Sequence, residues 1–452
     1  MRHAIVWTRH ASRAQQGSKS KARSALALAI AVLVGGARAE ARAEGAATAS
    51  APEPAVELGA AVEQAPADDY RTRRFELAGF PLIAGNSDIG IELGAVATLT
   101  RFADGVAPYR WNADAVVALA VKGGPDGTEI TQQSYQWNVD VPALAGGRVR
   151  LNPQIQYYRT INQLFYGLGN ASSPVPPVGA PARYFQFDDR QARLRLLTRV
   201  HLRGPFDLMF STQYRFEDPH PYSGGRLEQD AAAGNVRGVR PMSLFTLAGG
   251  LLFDSRDSEV FPRSGGFHHI GLRGTLGTPR AESVGYGGVG SQAAIYLPLG
   301  GTATLALRGV IDLQFGHVPV YDLYTGGAFF TDEMIGGSSA VRGVPDGRYS
   351  GLIKAYTNVE LRALLWRLRI LGGQFRIGGN VLFDVGRLWS DYTFRSPLDG
   401  TGLGLKWGAG AGAYLQWGQA AVFRVELAYS PDAKSENPKL PLGFYIEDGV
   451  MF

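Results

Sequence analysis

The stretch Gln374-Phe375-Arg376-Ile377-Gly378-Gly379-Asn380-Val381-Leu382-Phe383-Asp384-Val385 alternates in polarity along its length. An extended chain turns successive side chains to opposite faces. One face then carries large apolar residues: Phe375, Ile377, Val381, Phe383 and Val385. The other face carries the polar residues: Arg376, Asn380 and Asp384. A period of two predicts a β-strand whose two faces meet different surroundings.

Similar runs recur along most of the chain, and we count sixteen of them. They lie at about 74–84, 88–102, 109–122, 128–142, 148–160, 183–203, 205–218, 241–256, 267–278, 285–299, 303–317, 352–366, 372–389, 401–417, 421–430 and 442–452. The long connections all follow odd-numbered runs, whereas the connections after even-numbered runs are mostly tight. Long loops at one end and short turns at the other are typical of outer-membrane barrels.

These patterns predict an all-β fold, a transmembrane antiparallel β-barrel of sixteen strands. Lipid supplies no hydrogen-bond partners, so a sheet that spans a membrane must close on itself. A secreted β-propeller or β-solenoid is the alternative, but a propeller should show repeats of about 40–50 residues, and none is visible. A soluble β core with ordinary aromatic pairs is a further alternative.

Composition excludes several other classes. The chain has 452 residues, 59 of them glycine, and 19% are charged. Outside the N-terminus, no apolar run approaches the roughly 18 residues that a spanning helix needs, which excludes a helical membrane protein. The absence of cysteine excludes disulfides, thiolate metal sites, a cysteine nucleophile and a lipid anchor on cysteine.

The N-terminus has the features of a secretory signal peptide. Residues 1–39 carry seven basic residues and no acid. Within this segment, an apolar run at 25–34 precedes the small residues Ala37 and Ala39, which form a cleavage pattern. Cleavage after Ala43 is the alternative to cleavage after Ala39, and a short membrane anchor is the alternative to a signal. Cleavage after Ala39 leaves 38 basic against 40 acidic residues, so nucleic-acid binding has no support from charge. Residues 40–72, rich in Ala, Glu and Pro, are predicted to form a disordered linker, and 73–452 the barrel domain.

The C-terminal run ends on an aromatic residue. Four apolar residues alternate there: Phe444, Ile446, Val450 and Phe452. A last strand that ends in Phe resembles the sorting signal by which barrel-assembly machinery recognises outer-membrane proteins. Asp448 lies on the apolar side of this pattern and departs from it.

Four motifs in order resemble the BamA/TamA-type surface-antigen superfamily of the outer membrane. The run Val341-Arg342-Gly343-Val344 resembles that family's Val-Arg-Gly-aromatic loop, with Val344 in place of the aromatic residue. The other motifs are a loop at 165–170, a strand–Pro–Gly turn at 253–266 and a Phe-x-Asp-x-Gly strand at 383–389, where Asp384 directly follows Phe383. Together they cover residues 74–452.

The resemblance implies a protein that inserts or exports proteins at the outer membrane. It also implies that the long loop at 318–351 folds back into the lumen, where Arg342 of the Val-Arg-Gly motif pairs with acids on the inner wall. Strand parity turns Glu360 and Asp384 to the polar face, so the predicted loop anchor is Arg342, Gly343, Glu360 and Asp384. The alternative is a solvated Arg342 in an external loop.

The family's periplasmic POTRA domains need about 75 residues each, and only about 30 lie between the signal and the first strand. We therefore expect a bare barrel. No Gly-x-Ser-x-Gly, His-Glu-x-x-His or Walker motif occurs, so we expect no enzymatic activity, cofactor or metal. An outer-membrane phospholipase or protease stays open, because its residues would come from separate strands.

Two function classes follow. The first is an assembly or translocation factor for outer-membrane protein or lipid. The second is a passive pore or structural barrel with the same fold. The expected partners are outer-membrane lipid, the barrel-assembly machinery during biogenesis, and a periplasmic or substrate protein, with no nucleic acid.

Overall fold

The computed structural model describes residues 73–86, 90–124, 127–279, 282–330, 332–370, 373–417, 421–435 and 441–452. They form a closed antiparallel barrel of sixteen strands, which confirms the predicted fold class. The signal peptide predicted over 1–39 and the linker predicted over 40–72 lie outside the described residues, so both stay predictions. Within the described ranges, no helix has the length and apolar character needed to cross a membrane.

Sixteen strands form the wall, and two short strands, β12 and β13, lie in the connection between β11 and β14. Their bounds are β1 (Arg74–Asn86), β2 (Gly90–Ala103), β3 (Val106–Gly124), β4 (Gly127–Leu144), β5 (Val149–Leu164), β6 (Gln186–Arg203), β7 (Phe206–Pro221), β8 (Met242–Asp254), β9 (Gly265–Thr278), β10 (Gly285–Pro298), β11 (Ala303–His317), β12 (Thr325–Gly326), β13 (Asp332–Glu333), β14 (Ile353–Ile370), β15 (Gly373–Trp389), β16 (Lys406–Trp417), β17 (Ala421–Tyr429) and β18 (Leu442–Asp448). Short α-helices span Arg226–Ala232 and Val320–Leu323.

Wall strands pair with their neighbours along the chain, and β18 closes the barrel against β1. The five longest connections span 165–185, 222–241, 318–352, 390–405 and 430–441, and all leave the same end of the barrel. This is the predicted asymmetry. We call this end the long-loop end, which faces the exterior in outer-membrane barrels.

The two faces of each strand differ as the alternation predicts. On β15, Val381 and Phe383 point outward and are 55% and 45% exposed, whereas Asp384 is fully buried on the inside. Asn380 is also buried on the inside. An apolar outer face and a polar inner face satisfy a barrel in lipid, because the closed ladder already pairs the backbone groups.

The junction between the first and last strands has the shortest ladder in the described wall. Two residue pairs join β1 to β18, Gly85 with Ile446 and Asn86 with Tyr445. By contrast, thirteen pairs join β1 to β2, and seven join β17 to β18. We call the β1–β18 junction the seam.

The last strand is shorter than predicted. β18 ends at Asp448, and Gly449 takes a φ of +78°, a left-handed conformation that ends the extended run. The expectation that Phe444, Ile446, Val450 and Phe452 share one face of a strand is therefore wrong. Phe444 is exposed on the outer face, whereas Val450 and Phe452 leave the strand and are buried against wall residues.

Candidate functional site: a plug fixed inside the barrel

Residues 318–351, which we call the plug, fill part of the lumen. The plug contains the helix Val320–Leu323, the small β12–β13 hairpin and a series of turns up to Gly351. Most of its described residues are buried. The structure therefore confirms the prediction that the long loop folds into the lumen.

Arg342 is the most tightly held residue of the plug and is fully buried. Its Nε and Nη2 donate to the two oxygens of Asp384 at 2.7 and 2.9 Å, and its backbone N–H donates to Asp384 Oδ2 at 3.1 Å. Its Nη1 donates to Glu360 Oε1 at 2.5 Å. The structure therefore brings Arg342 against both acids that strand parity turns inward. A bidentate guanidinium–carboxylate pair fixes orientation as well as distance.

A third acid, Glu426 on β17, also contacts Arg342, with 2.9 Å between Arg342 Nη1 and Glu426 Oε1. Sequence reasoning missed Glu426, although the alternation of β17 puts Arg424 and Glu426 on one face. Arg362 Nε donates to Glu360 Oε2 at 2.7 Å, and Arg424 Nη1 lies 3.5 Å from Glu426 Oε2. Three arginines thus balance three carboxylates, so the cluster is close to neutral.

We call these six residues the Arg342 cluster: Arg342, Glu360, Arg362, Asp384, Arg424 and Glu426. Two amides extend it, because Asn358 donates to Asp384 Oδ1 and Asn380 donates to Glu426 Oε1, each at 2.8 Å. Buried charges need partners of this kind, since an isolated ion in a low-dielectric interior is very costly.

Glycines on β16 make room for the cluster. A Cβ at Gly408 would lie 1.8 Å from the carbonyl oxygen of Arg342, and one at Gly412 would lie 2.6 Å from Glu426 Cγ. The inward face of β16 therefore lets the plug backbone approach the wall. The spacing Gly408-x-Gly410-x-Gly412 is visible in the sequence and is the signal that would have located this contact.

Gly343 links the plug to the last strand. Its N–H donates to the hydroxyl of Tyr445 on β18 at 2.7 Å. Its φ of +91° is left-handed, and a Cβ there would lie 3.0 Å from backbone atoms of β17. Glycine is therefore required at this position both for conformation and for space.

A second anchor holds the start of the plug. Asp322 is a buried residue of the helix Val320–Leu323, and its carboxylate accepts from Arg215 Nη2 at 2.6 Å and from the Tyr286 hydroxyl at 2.8 Å. Lys354 Nζ donates to the carbonyl oxygens of Asp322 and Thr325 at 3.1 and 2.7 Å. In this anchor the plug supplies the acid and the wall supplies the cations.

The pKa values of the two anchoring plug residues follow from these partners. Burial alone would lower the pKa of Arg342, but Asp384, Glu426 and Glu360 raise it well above its ordinary value. Burial alone would raise the pKa of Asp322, but the Arg215 guanidinium, the Tyr286 hydroxyl and Arg273 together outweigh burial and hold that pKa below its ordinary value. Both groups are therefore charged at neutral pH.

The chain end also reaches the cluster. Arg362 Nη2 donates to the backbone oxygen of Phe452 at 3.0 Å, and the Arg362 and Arg308 guanidinium groups each lie 4.8 Å from the centroid of the Phe452 ring. Phe452 thus has a structural role that the sequence did not suggest. The sorting signal proposed for Phe444, Ile446, Val450 and Phe452 stays a prediction.

Comparison with known proteins identifies the family to which the chain belongs. The family model described as the Omp85 superfamily domain matches residues 178–452. No curated protein matches the chain. The crystal structure of BamA from Haemophilus ducreyi lacking POTRA domains 1–3 is similar, with 14% identity, a TM-score of 0.51, and coverage of 84% of this chain and 70% of that chain.

CdiB from Escherichia coli is similar to the same degree, with 14% identity and a TM-score of 0.51 over 82% of this chain. The match covers 62% of the CdiB chain, which is less than two thirds of its length. At these identities the likeness shows the fold. The family match is the stronger finding, because it includes the whole plug, the complete Arg342 cluster and the last strand. Omp85 barrels are proteins of the bacterial outer membrane, in a family of insertase and translocase type. The chain belongs to the Omp85 superfamily.

Proposed function

We propose that this protein moves protein or lipid into or across the outer membrane and that the seam is its moving part. The observation that carries the proposal is the ladder of two residue pairs between β1 and β18. Every other ladder in the described wall is longer, so opening the barrel at the seam breaks the fewest backbone hydrogen bonds. Strand edges freed in this way are templates for another extended chain.

The plug and the seam meet at one residue, which supports a coupled mechanism. Tyr445 forms one of the two seam pairs, with Asn86, and its hydroxyl accepts the N–H of Gly343 in the plug. A displacement of the plug therefore acts directly on the strand that closes the barrel. In this mechanism the Arg342 cluster holds the closed state.

The sequence supports further parts of the proposal, which concern targeting, membrane insertion and cargo. Residues 1–39 act as a cleaved signal that brings the chain to the periplasm, where barrel-assembly machinery inserts it. A periplasmic or substrate protein supplies the cargo. The function requires no cofactor and no covalent chemistry by the barrel itself.

A passive pore or structural barrel is the alternative function. One observation favours the structural version: the plug is fixed at both ends by buried ion pairs, with Arg342 at one end and Asp322 at the other. A passive pore should conduct steadily with the plug in place. A translocase should conduct only after the plug has been displaced.

A disulfide across the seam tests the proposal, and the cysteine-free chain makes this straightforward. Ala84 and Glu447 are the next positions in the register set by Gly85 and Ile446. The double variant Ala84→Cys with Glu447→Cys is introduced into native-host cells depleted of the wild-type protein. We expect it to fail to restore the outer-membrane protein and lipid profile until reductant is added.

The matched control is the double variant Ala411→Cys with Leu427→Cys, which joins directly paired residues of β16 and β17. It carries the same chemistry in a junction that need not open, so it should restore the profile with or without reductant. If the oxidised seam variant also restores the profile, the seam does not open in function, and the structural-barrel alternative is favoured.

A further inference from the structure

A cavity of about 520 Å³ opens at the long-loop end, away from the Arg342 cluster. Its walls come from four separate segments: Ser172 of the β5–β6 connection, Arg348 and Tyr349 of the plug, Lys406 at the start of β16, and Asp432 of the β17–β18 connection. Pockets for small ligands commonly span about 300–1,000 Å³. The cavity therefore has room for one small polar molecule.

The cations of this cavity outnumber its acids. The Arg348 guanidinium and the Lys406 ammonium each lie 4.4 Å from the centroid of the Tyr349 ring. Both Nη atoms of Arg348 donate to Ser172, one to its hydroxyl at 2.7 Å and one to its carbonyl oxygen at 2.6 Å. The Arg348 Nε is buried and has no hydrogen-bond partner among the described residues.

Lys406 contacts the Tyr349 ring and lies near Asp432, but no acceptor among the described residues lies within hydrogen-bond distance of its ammonium. Its side chain is 17% exposed, and its Nζ lies 3.9 Å from Asp432 Oδ1, which is too far for a hydrogen bond. That same Asp432 oxygen accepts the Tyr349 hydroxyl at 2.5 Å. Within the residues that the structure describes, Lys406 makes no hydrogen bond; Asp432 attracts its charge, and Arg348 and Arg387 repel it.

A shielded ammonium with three unused donors is costly unless an acceptor approaches it. Asp432 Oδ1 accepts the Tyr349 hydroxyl and lies 3.9 Å from Lys406 Nζ, so the Lys406 donors are available to an acceptor that enters the cavity. Lysine is a common point-charge partner of phosphate. We propose that this cavity binds a phosphate monoester, with Lys406 as the principal contact and Arg348 supplying further positive charge. The binding is independent of the proposed translocation.

Two sources would present that group at the long-loop end: a soluble sugar phosphate, or the headgroup of a lipid of the surrounding membrane. For the first, the full chain in detergent is titrated with glucose 1-phosphate at constant ionic strength, and heat release is measured by calorimetry. For the second, thermal unfolding is compared between nanodiscs that contain phosphatidic acid and nanodiscs of phosphatidylcholine alone.

Three variants decide the assignment. Lys406→Gln should weaken binding of the responding probe at least fivefold. Asp432→Asn removes the one carboxylate but keeps Lys406, so it should strengthen binding. Arg367→Gln is the matched control, because Arg367 is an exposed arginine near the opposite end of the barrel and has no ion pair in the described part of the chain. It should bind like the wild type.

A response to glucose 1-phosphate or to phosphatidic acid supports the site and identifies its source. The proposal is overturned if neither probe binds, if Lys406→Gln binds as well as the wild type, or if Asp432→Asn binds more weakly. A gel shift on boiling in detergent confirms that each variant is a folded barrel before it is titrated. If Lys406→Gln does not fold, the opposite expected change in Asp432→Asn still tests the proposal.

Discussion

The two anchors of the plug have opposite polarity. At Arg342 the plug supplies a cation to three acids on β14, β15 and β17. At Asp322 the plug supplies an acid to Arg215 on β7. Both plug side chains are buried, so neither charge is tolerable without its partners.

Opposite polarity makes the docking directional. A plug shifted or reversed in the lumen would place Arg342 near Arg215 and Asp322 near carboxylates, and both contacts would be repulsive. The anchors differ in how many acids depend on one side chain. Both ends have backbone contacts to wall side chains, from Arg308 and Asn358 near Arg342 and from Lys354 and Gln314 near Asp322. The Arg342 guanidinium is shared by three buried acids, so its loss should have the larger effect.

The largest effect is expected for Arg342→Ala. It leaves Glu360, Asp384 and Glu426 without their shared cation, and removal of one partner from a buried ion pair costs about 3–5 kcal/mol. The plug should loosen, become sensitive to protease and raise the conductance of the barrel in planar bilayers. Arg342→Lys should rescue only part of this, because an ammonium lacks the planar fork.

The matched control for this prediction is Arg376→Ala, which removes an arginine from the same sheet at a site with no ion pair among the described residues. It should leave plug protection and conductance unchanged. If Arg342→Ala and Arg376→Ala behave alike in both assays, Arg342 does not anchor the plug.

A smaller effect is expected for Asp322→Asn. Arg215 keeps Glu217 as a partner, with 3.1 Å between Arg215 Nε and Glu217 Oε1. The bonds of Lys354 to the plug carbonyls also persist, since they do not use the Asp322 carboxylate. We expect a loss of about 1.5–3 kcal/mol, the range for a hydrogen bond to a charged group. Hydrogen exchange should rise around 318–326 and stay low around 340–346; equal rises in both segments would contradict separate anchors.

The comparison also predicts a pH response at the Asp322 anchor. The pKa of Asp322 is lower in the folded plug than in an unfolded chain, because Arg215, Tyr286 and Arg273 together outweigh the effect of burial. Its contribution is complete above the ordinary carboxyl pKa of about 3.9 and is lost as the pH falls through the lowered value. Acidification below about pH 4 should therefore increase plug-opening events in bilayer recordings, whereas the opening frequency should change little between pH 7 and pH 4. Asp322→Asn should lack this part of the response, and an identical pH profile in both proteins would contradict it.

The fold could be predicted from the sequence because it rests on period-two alternation. Phe383 and Asp384 reveal the outer and inner faces directly, and the strand count follows from repetition. Arg342, Glu360 and Asp384 could be placed by parity and by the motif. Glu426 could not be assigned as a partner, because β16 lies between β15 and β17 and only its glycines allow Arg342 to reach across.

The chain end shows where alternation fails as a guide. Phe444 and Phe452 are an even number of residues apart, so parity alone predicts a shared face. Gly449 breaks the extended backbone, and the arginines inside the barrel then attract the terminal ring. The position of the Phe452 ring therefore depends on Arg362 and Arg308, which lie 90 and 144 residues earlier in the chain. A pattern read from neighbouring residues does not contain these contacts.

The smallest effect, and the sharpest test of coupling between plug and seam, is expected for Tyr445→Phe. The substitution keeps the ring and removes the hydroxyl that accepts the Gly343 N–H at 2.7 Å. A net cost of about 0.5–1.5 kcal/mol is expected for one lost hydrogen bond.

Because Tyr445 also pairs with Asn86 across the seam, loosening at Gly343 should spread to β1. Hydrogen exchange should therefore rise both at 341–345 in the plug and at 82–86 in β1. Tyr109→Phe is the control, since Tyr109 is a buried tyrosine of β3 whose hydroxyl donates to Asp140 at 2.6 Å, outside the plug and the seam. It should leave hydrogen exchange at 341–345 and 82–86 unchanged. A rise at 341–345 without any change at 82–86 would show that the plug moves independently of the seam.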